Sequence, residues 1–374
     1  GAGEKVARIA RLRIADSNPL AIERASLSAT VLPDPDAIAN SLYAKLDQTG
    51  NRPVRAIQRI AAVNLGRHDA ELLDVAPGAA SLRIERTSYL ASGRIVEIAE
   101  IPAAVARLLG EGRPALDAAA KALADADPRL VITIARGSSD HAATFFKYAC
   151  ELSTGVPVAS VGPSIASIYG VDLKLDRAAA IGISQSGKSP DIVSMLQSAA
   201  RSGATAIAIT NTPDSPLADA ADAVIDICAG EEQSVAATKT FVTSAVAGLA
   251  IVAGWSGDKA LLGALDALPE ALENALSCDW SPLVEATANA NSLYVLGRGP
   301  GAAIAHEAAL KFKETSGLHA EAYSTAEVLH GPAAIVQKGF PVLALSATDK
   351  ARSSILETCA RLAGQGGSAF VTDP

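Results

Sequence analysis

The sequence is short of aromatic side chains, with six phenylalanines, six tyrosines and two tryptophans among 374 residues, and it has a single methionine. Since 49% of the residues are nonetheless apolar, the core has to be built mainly from Ala, Leu, Ile and Val. An excess of positive charge is also missing. Thirty-two Lys and Arg against forty Asp and Glu leave a net charge of −8 and a pI near 5.2, which argues against a broad nucleic-acid surface. The four cysteines, Cys150, Cys228, Cys278 and Cys359, are scattered without metal-type spacing. That fits a reduced cytoplasmic protein and shows no ligand set for a metal, and no cofactor is expected. No secretory signal or membrane span is visible, and the one long apolar stretch, Val242–Trp255, is too short to cross a bilayer and reads as a buried helix. Gly1 stands where an initiating methionine is absent, so the N-terminus is expected to be cut or processed.

What is present is a duplication. RLVITIARGSSDHAA (129–143) and SLYVLGRGPGAAIA (292–305) are each a run of β-formers that ends in Arg-Gly before a helical pattern. Arg136 and Arg298 lie 162 positions apart, as do Ser184 and Ser346, and Thr210 and Thr372. Strands alternating with helices of this length imply βαβ units and a parallel sheet, with ligands gathered beyond the carboxyl ends of the strands. The first copy continues through AVIDICAG and the helix ending at Trp255, whereas the second stops at Pro374, so the chain is expected to be incomplete at its C-terminus. Residues 1–98 differ in texture. RIARLRIAD, NPLAIERASL, VRAIQRIAAVN, ASLRIERTSY and GRIVEIA read as short alternating strands, with SLYAKLDQTG and RHDAELLDVAPGA as short helices or turns. Asp16-Ser17-Asn18-Pro19 and Ser92-Gly93 read as hairpin turns. The expected division is therefore 1–98, 99–265 and 266–374.

Three places carry candidate chemistry. In AIGISQSGKSPDIV (180–193) a β-branched run stops at Ser184-Gln185-Ser186-Gly187, and a helix pattern resumes after Ser189-Pro190. Hydroxyls and free amides at a helix N-terminus suit a phosphate, and they equally make an ordinary capped helix start. Arg136-Gly137-Ser138-Ser139 ends the neighbouring βα unit, where its hydroxyls can face those of Ser184 and Ser186 or form a simple turn. In AAIAHEAALKFKETS, Glu307, Lys311 and Glu314 share one helix face, and His330 follows just before Gly-Pro. Such a set can act as acids and bases on a small ligand, or be a solvated Glu–Lys face. The second copy has Gly299-Pro300-Gly301 and Ser346-Ala347-Thr348 where the first has its hydroxyl cradle. In the first module, Arg11 and Arg13 alternate on one strand face, which suits a phosphate or carboxylate as well as solvent; Glu23, Ser41 and Tyr43 follow.

ARGSSD, SQSGKSPD, VAATKTF and ALKFKETSGLHAEAYSTAEVLHGP together resemble sugar-isomerase (SIS) domain proteins, above all the isomerase half of glucosamine-6-phosphate synthase and the SIS-type glucosamine-6-phosphate deaminases. The likeness covers residues 99–374. It implies an α/β fold of two SIS subdomains with flavodoxin-like parallel sheets, the second truncated, and a homodimer. It also implies that Ser184, Gln185, Ser186 and Ser189 bind a sugar phosphate, with Ser138, Ser139 and the Val235 loop in the same pocket. Glu314 would move the proton between C1 and C2, Lys311 would assist, and His330, from across the dimer, would help open the ring. Ala237 departs from the synthase pattern, which has serine there. Residues 1–98 resemble the effector-binding UTRA domain of GntR-type regulators, an α+β module with a mostly antiparallel sheet, in which Arg11, Arg13, Glu23, Ser41 and Tyr43 would contact the effector. Its opening strand and the preceding winged helix are expected to be missing.

The resulting expectation is a cytoplasmic enzyme for a small phosphorylated amino sugar, with no membrane contact and no nucleic acid bound by this fragment. Its reaction would convert glucosamine 6-phosphate and water to fructose 6-phosphate and ammonia, since the synthase's terminal cysteine nucleophile has no counterpart before Cys150. An aminotransferase-like or simple phosphosugar isomerase, and a sugar-phosphate-sensing regulator carrying a SIS half, are the alternatives.

Overall fold

The computed structural model describes residues 6–15, 18–28, 53–64, 66–90, 100–232 and 236–373. The chain divides into two units, Gly1–Ala99 and Glu100–Pro374.

In the first unit, β1 (Val6–Ala15) and β2 (Asn18–Ser28) pair antiparallel, as do β3 (Pro53–Asn64) and β4 (Ala80–Leu90), with α1 (Arg67–Leu72) between the latter two. Ala15 pairs with Asn18, while Asp16 and Ser17 of the expected hairpin turn lie outside the described residues. Arg11 lies opposite Glu23 and Arg13 opposite Ala21. Ser41 and Tyr43, the SLYAKLDQTG segment, the Ser92-Gly93 turn and the GRIVEIA strand lie outside the described residues.

The second unit opens with α2 (Ile101–Gly110) and α3 (Arg113–Ala126), helices that bury Val105, Leu108, Leu116 and Leu123 on one face each. The first lobe then runs β5 (Leu130–Ile134), α4 (Ser138–Thr154), β6 (Val158–Ser160), α5 (Ser164–Ser167), β7 (Ala178–Ser184), α6 (Pro190–Arg201), β8 (Thr205–Thr210), β9 (Ala223–Asp226) and α7 (Lys239–Ser256). Its five strands are parallel in the order β6-β5-β7-β8-β9. All seven residues of β7 are buried, because α6 covers one sheet face and α3, α4 and α7 the other. Helix α7, the one described helix long and apolar enough to cross a membrane, is mostly buried against this lobe, with Phe146 packed on Gly248 and Ala120 on Gly254.

After α8 (Lys259–Ala275) and α9 (Ser281–Thr287), the second lobe repeats the plan: β10 (Ser292–Gly297), α10 (Pro300–Ser316), β11 (His319–Ser324), β12 (Pro341–Ala344), α11 (Arg352–Gly364) and β13 (Ser368–Val371), in the parallel order β11-β10-β12-β13. Leu293 and Val295 of β10 pack toward α10, while Tyr294 and Leu296 pack toward α11, the two-residue alternation of a strand covered on both faces. The duplication holds to the residue: α4 and α10 begin at 138 and 300, α6 and α11 at 190 and 352, each 162 apart. Gly137 and Gly299 precede α4 and α10 with the same torsions, φ 58° and ψ −135°, a conformation essentially closed to residues with a Cβ.

Candidate active site

Ile134 at the end of β5 pairs with Gly182 of β7, so the loops that follow both strands emerge side by side, where the strand order reverses. Ligands bind doubly wound sheets at this crevice. A cavity of about 400 Å³ opens there, lined by Ser139, Ser184, Gln185, Ser186 and Ser189, with Arg136, Gly137 and Ile192 completing the wall. The sequence placed these serines together, and they are together. Ser189 takes the N-cap position of α6 but makes no side-chain cap, and Pro190 follows it without an N–H. Among the described residues, the hydroxyls of Ser139, Ser184 and Ser189 have no hydrogen-bond partner, so the ordinary capped start does not account for them.

The cradle is held by what lies beneath it. Gly187 has φ +61°, and a Cβ there would lie 2.1 Å from Ser215 Oγ, so only glycine turns the chain at this point. Thr210, at the end of β8, donates from Oγ1 to the Gln185 carbonyl (3.3 Å), and the Asn211 amide donates to the same oxygen (3.1 Å). Thr372 repeats the device 162 residues on, accepting from the Ser346 amide (2.8 Å) and donating to its carbonyl (3.2 Å).

Ser138 departs from the expected pocket. Successive residues of a helix point about 100° apart; Ser139 lines the cavity and Ser138 does not, its hydroxyl instead helping to hold the Glu307 carboxyl low. Glu307 is the centre of a cluster the sequence only half revealed. Its side chain is 5% exposed, and its Oε2 lies 2.7 Å from His141 Nδ1 on α4. Its Oε1 lies 3.2 Å from Lys311 Nζ, paired by charge rather than by an aligned hydrogen bond. Burial alone would raise the Glu307 carboxyl; the His141 hydrogen bond, the Lys311 charge and the Ser138 hydrogen bond outweigh it and leave the group below its ordinary value. Lys311 Nζ also meets Glu314 Oε2 at 2.6 Å and donates to the Ala237 carbonyl at 3.1 Å, which brings the segment before α7 into the cluster. The face considered for α10 is thus graded, with Glu307 buried, Lys311 partly covered and Glu314 exposed. His141, which sequence reasoning passed over, also stacks on His306 with ring centres 5.8 Å apart. The available signal was the repeat itself, since α4 and α10 are equivalent helices and pack on each other. His330 ends a 3₁₀ turn, Glu327–His330, exposed and without a hydrogen-bond partner among the described residues. Val235 lies outside the described residues.

The SIS domain family model matches residues 123–253 and 287–368, and the UTRA domain model matches residues 1–102. Among curated proteins, a glutamine–fructose-6-phosphate aminotransferase (isomerizing) of Symbiobacterium thermophilum is 36% identical over 251 residues, 62% of this chain and 41% of that protein. The chain spans about half the length of the curated relatives it matches. Among solved structures, a proposed phosphosugar isomerase of Silicibacter pomeroyi DSS-3 superposes with a TM-score of 0.73 and 53% identity, covering 74% of this chain and 85% of that one. The C-terminal domain of glucosamine-fructose-6-phosphate aminotransferase from Francisella tularensis gives a TM-score of 0.63 and 29% identity, with 74% and 81% covered.

Proposed function

We propose that this chain, which belongs to the SIS domain family and carries a UTRA domain ahead of it, is an enzyme that binds a phosphorylated amino sugar and moves a proton between C1 and C2 of its open chain. One observation carries the reading. The His141–Glu307–Lys311–Glu314 run joins the helix that follows the cradle loop of one lobe to the acid–base helix of the other. The phosphate is the handle. Held by Ser184, Gln185, Ser186 and Ser189, it fixes the far end of the substrate, so that binding energy is spent on orienting the reacting carbons. Glu314 takes the proton from C2 of glucosamine 6-phosphate and returns it to C1, while the Lys311 ammonium donates to the oxygen that gains charge. Water then adds to the resulting C2 imine, and ammonia leaves with fructose 6-phosphate as the other product. His330, supplied across a homodimer, is assigned to ring opening.

Deamination is the reading proposed ahead of glutamine-dependent amination and simple isomerisation, and the assay below separates the three. For the UTRA half, the reading assigns an effector related to the substrate, bound through Arg11, Arg13 and Glu23 together with Ser41 and Tyr43. The decisive assay follows ammonia and fructose 6-phosphate released from glucosamine 6-phosphate, with deuterium uptake at C1 measured in parallel. Glu314→Gln should cut turnover by about 10²–10⁴-fold; full turnover in that variant removes Glu314 from its role. Interconversion of glucose 6-phosphate and fructose 6-phosphate without ammonia release from the amino sugar would leave a simple isomerase.

A further inference from the structure

The walls of the serine cavity are rich in hydroxyls but carry almost no formal charge. Arg136 is the one charged side chain among the described residues that line it. A phosphate taken from water into neutral donors alone gives up much of its hydration without a countercharge. Arg136 stands at the end of β5, directly before Gly137, and its Nη2 lies 3.0 Å from Asp191 Oδ1 in the first turn of α6. The Arg136 side chain is 58% exposed and that of Asp191 24%, so the ion pair is a loose one, of the kind that contributes little to folding.

We propose, resting on the phosphosugar reading above, that Arg136 is the cationic arm of the anion cradle and that Asp191 holds it in the empty site and releases it to the incoming phosphate. Two features support the exchange. Asp191 lies at a helix N-terminus, where the dipole stabilises its carboxylate after the arginine has left, so it loses little by the transfer. The phosphate gains a planar guanidinium that can bind two of its oxygens at once. The pair is also confined to the lobe that has the hydroxyls. Arg298 repeats Arg136 in the second lobe, but position 353, the counterpart of 191, is Ser353, and the loop after Arg298 is Gly299-Pro300-Gly301. Charge reserve and hydroxyl cradle therefore occur together or not at all.

The test titrates the whole protein with inorganic phosphate, and separately with glucosamine 6-phosphate, by isothermal calorimetry. Arg136→Gln should weaken both ligands by about ten- to a hundred-fold, with Arg136→Lys recovering part of the loss. Asp191→Asn should tighten phosphate, and should have far less effect in the Arg136→Gln background. Ser186→Ala serves as the control that disturbs the cradle without touching the pair. If wild type binds phosphate and Arg136→Gln binds it equally well, the arginine's role is overturned while the phosphosugar reading stands. Weakening of the sugar phosphate but not of inorganic phosphate would place Arg136 on sugar hydroxyls, and overturn it too. Binding of neither ligand by wild type would sink the phosphosugar reading, and this inference with it.

Discussion

His141→Ala is the substitution that most directly probes the junction of the two lobes. The imidazole donates to a Glu307 carboxylate that is almost wholly buried, and it is the shortest of that carboxylate's described contacts. Removing one partner of a fully buried pair costs about 3–5 kcal/mol. Here His141 is itself 22% exposed, so water can reach the vacated place, and Lys311 remains beside the carboxylate. The expected loss is therefore lower, about 2–3 kcal/mol. Urea unfolding followed by tryptophan fluorescence measures it cleanly, because Trp255 and Trp280 both belong to the Glu100–Pro374 unit. The pH dependence has a defined sign. The folded Glu307 carboxyl lies below its ordinary value of 4.5, so its pairing stabilises the fold above that value and ceases to do so as pH falls through the folded one. The difference between wild type and His141→Ala should be complete near neutrality and shrink in that acid window. His141→Asn retains a donor and should lose less than half as much. A loss under about 0.5 kcal/mol in His141→Ala, within the range of surface substitutions that touch nothing, or equal losses in the Ala and Asn variants, would refute the account.

Gly187→Ala forces both a left-handed backbone and a contact with Ser215, so about 1–3 kcal/mol of strain and a loss of phosphate affinity are expected; Gly187→Ala with Ser215→Gly should regain the space but not the torsion, and unaltered phosphate binding in the single variant would contradict this. His306 is lowered from 6.5 by burial and then by the charge of His141, so the unfolded chain takes up a proton first as pH falls and the fold loses stability there. His306→Asn should flatten that decline in a urea series from about pH 7 to 5, around the ordinary histidine pKa. Cys278 is the exposed thiol of the four, and the other three are raised or buried, so alkylation at about pH 7.5 should show one fast site by mass spectrometry; a fast site at Cys150 or Cys359 would mean that the packing around it is wrong.

The parts of this molecule that local rules control were legible in its sequence. Strand runs such as AAAIGIS, and helices opening after Gly137 and Gly299, follow from patterning and torsional freedom, and the constant spacing of 162 located their counterparts in advance. The cradle was legible for the same reason, since Ser184, Ser186 and Ser189 come from one turn and Ser139 from the adjoining one. The His141–Glu307 contact was not, because its partners are 166 residues apart and meet only when α4 packs on α10. Ser138 shows the finer limit: of two adjacent hydroxyls at the start of α4, Ser139 lines the cavity and Ser138 does not, a difference that no local pattern announces. The burial of Glu307 was equally hidden, since i, i+4 Glu–Lys spacing looks the same on a wet helix as on a packed one.

Lys311 offers a last consequence. An ammonium group has three hydrogens to give; two go to the Ala237 carbonyl and Glu314, and Glu307 faces the group by charge without an aligned bond. Any visitor seeking that nitrogen competes with these neighbours. The carbonyl is fixed by its chain and Glu307 is walled in, whereas Glu314, a third exposed, is free to swing away. On the proposed assignment of Glu314 as base, arrival of a sugar oxygen at Lys311 would compete with that tether and loosen the carboxylate at the moment there is a carbon for it to meet.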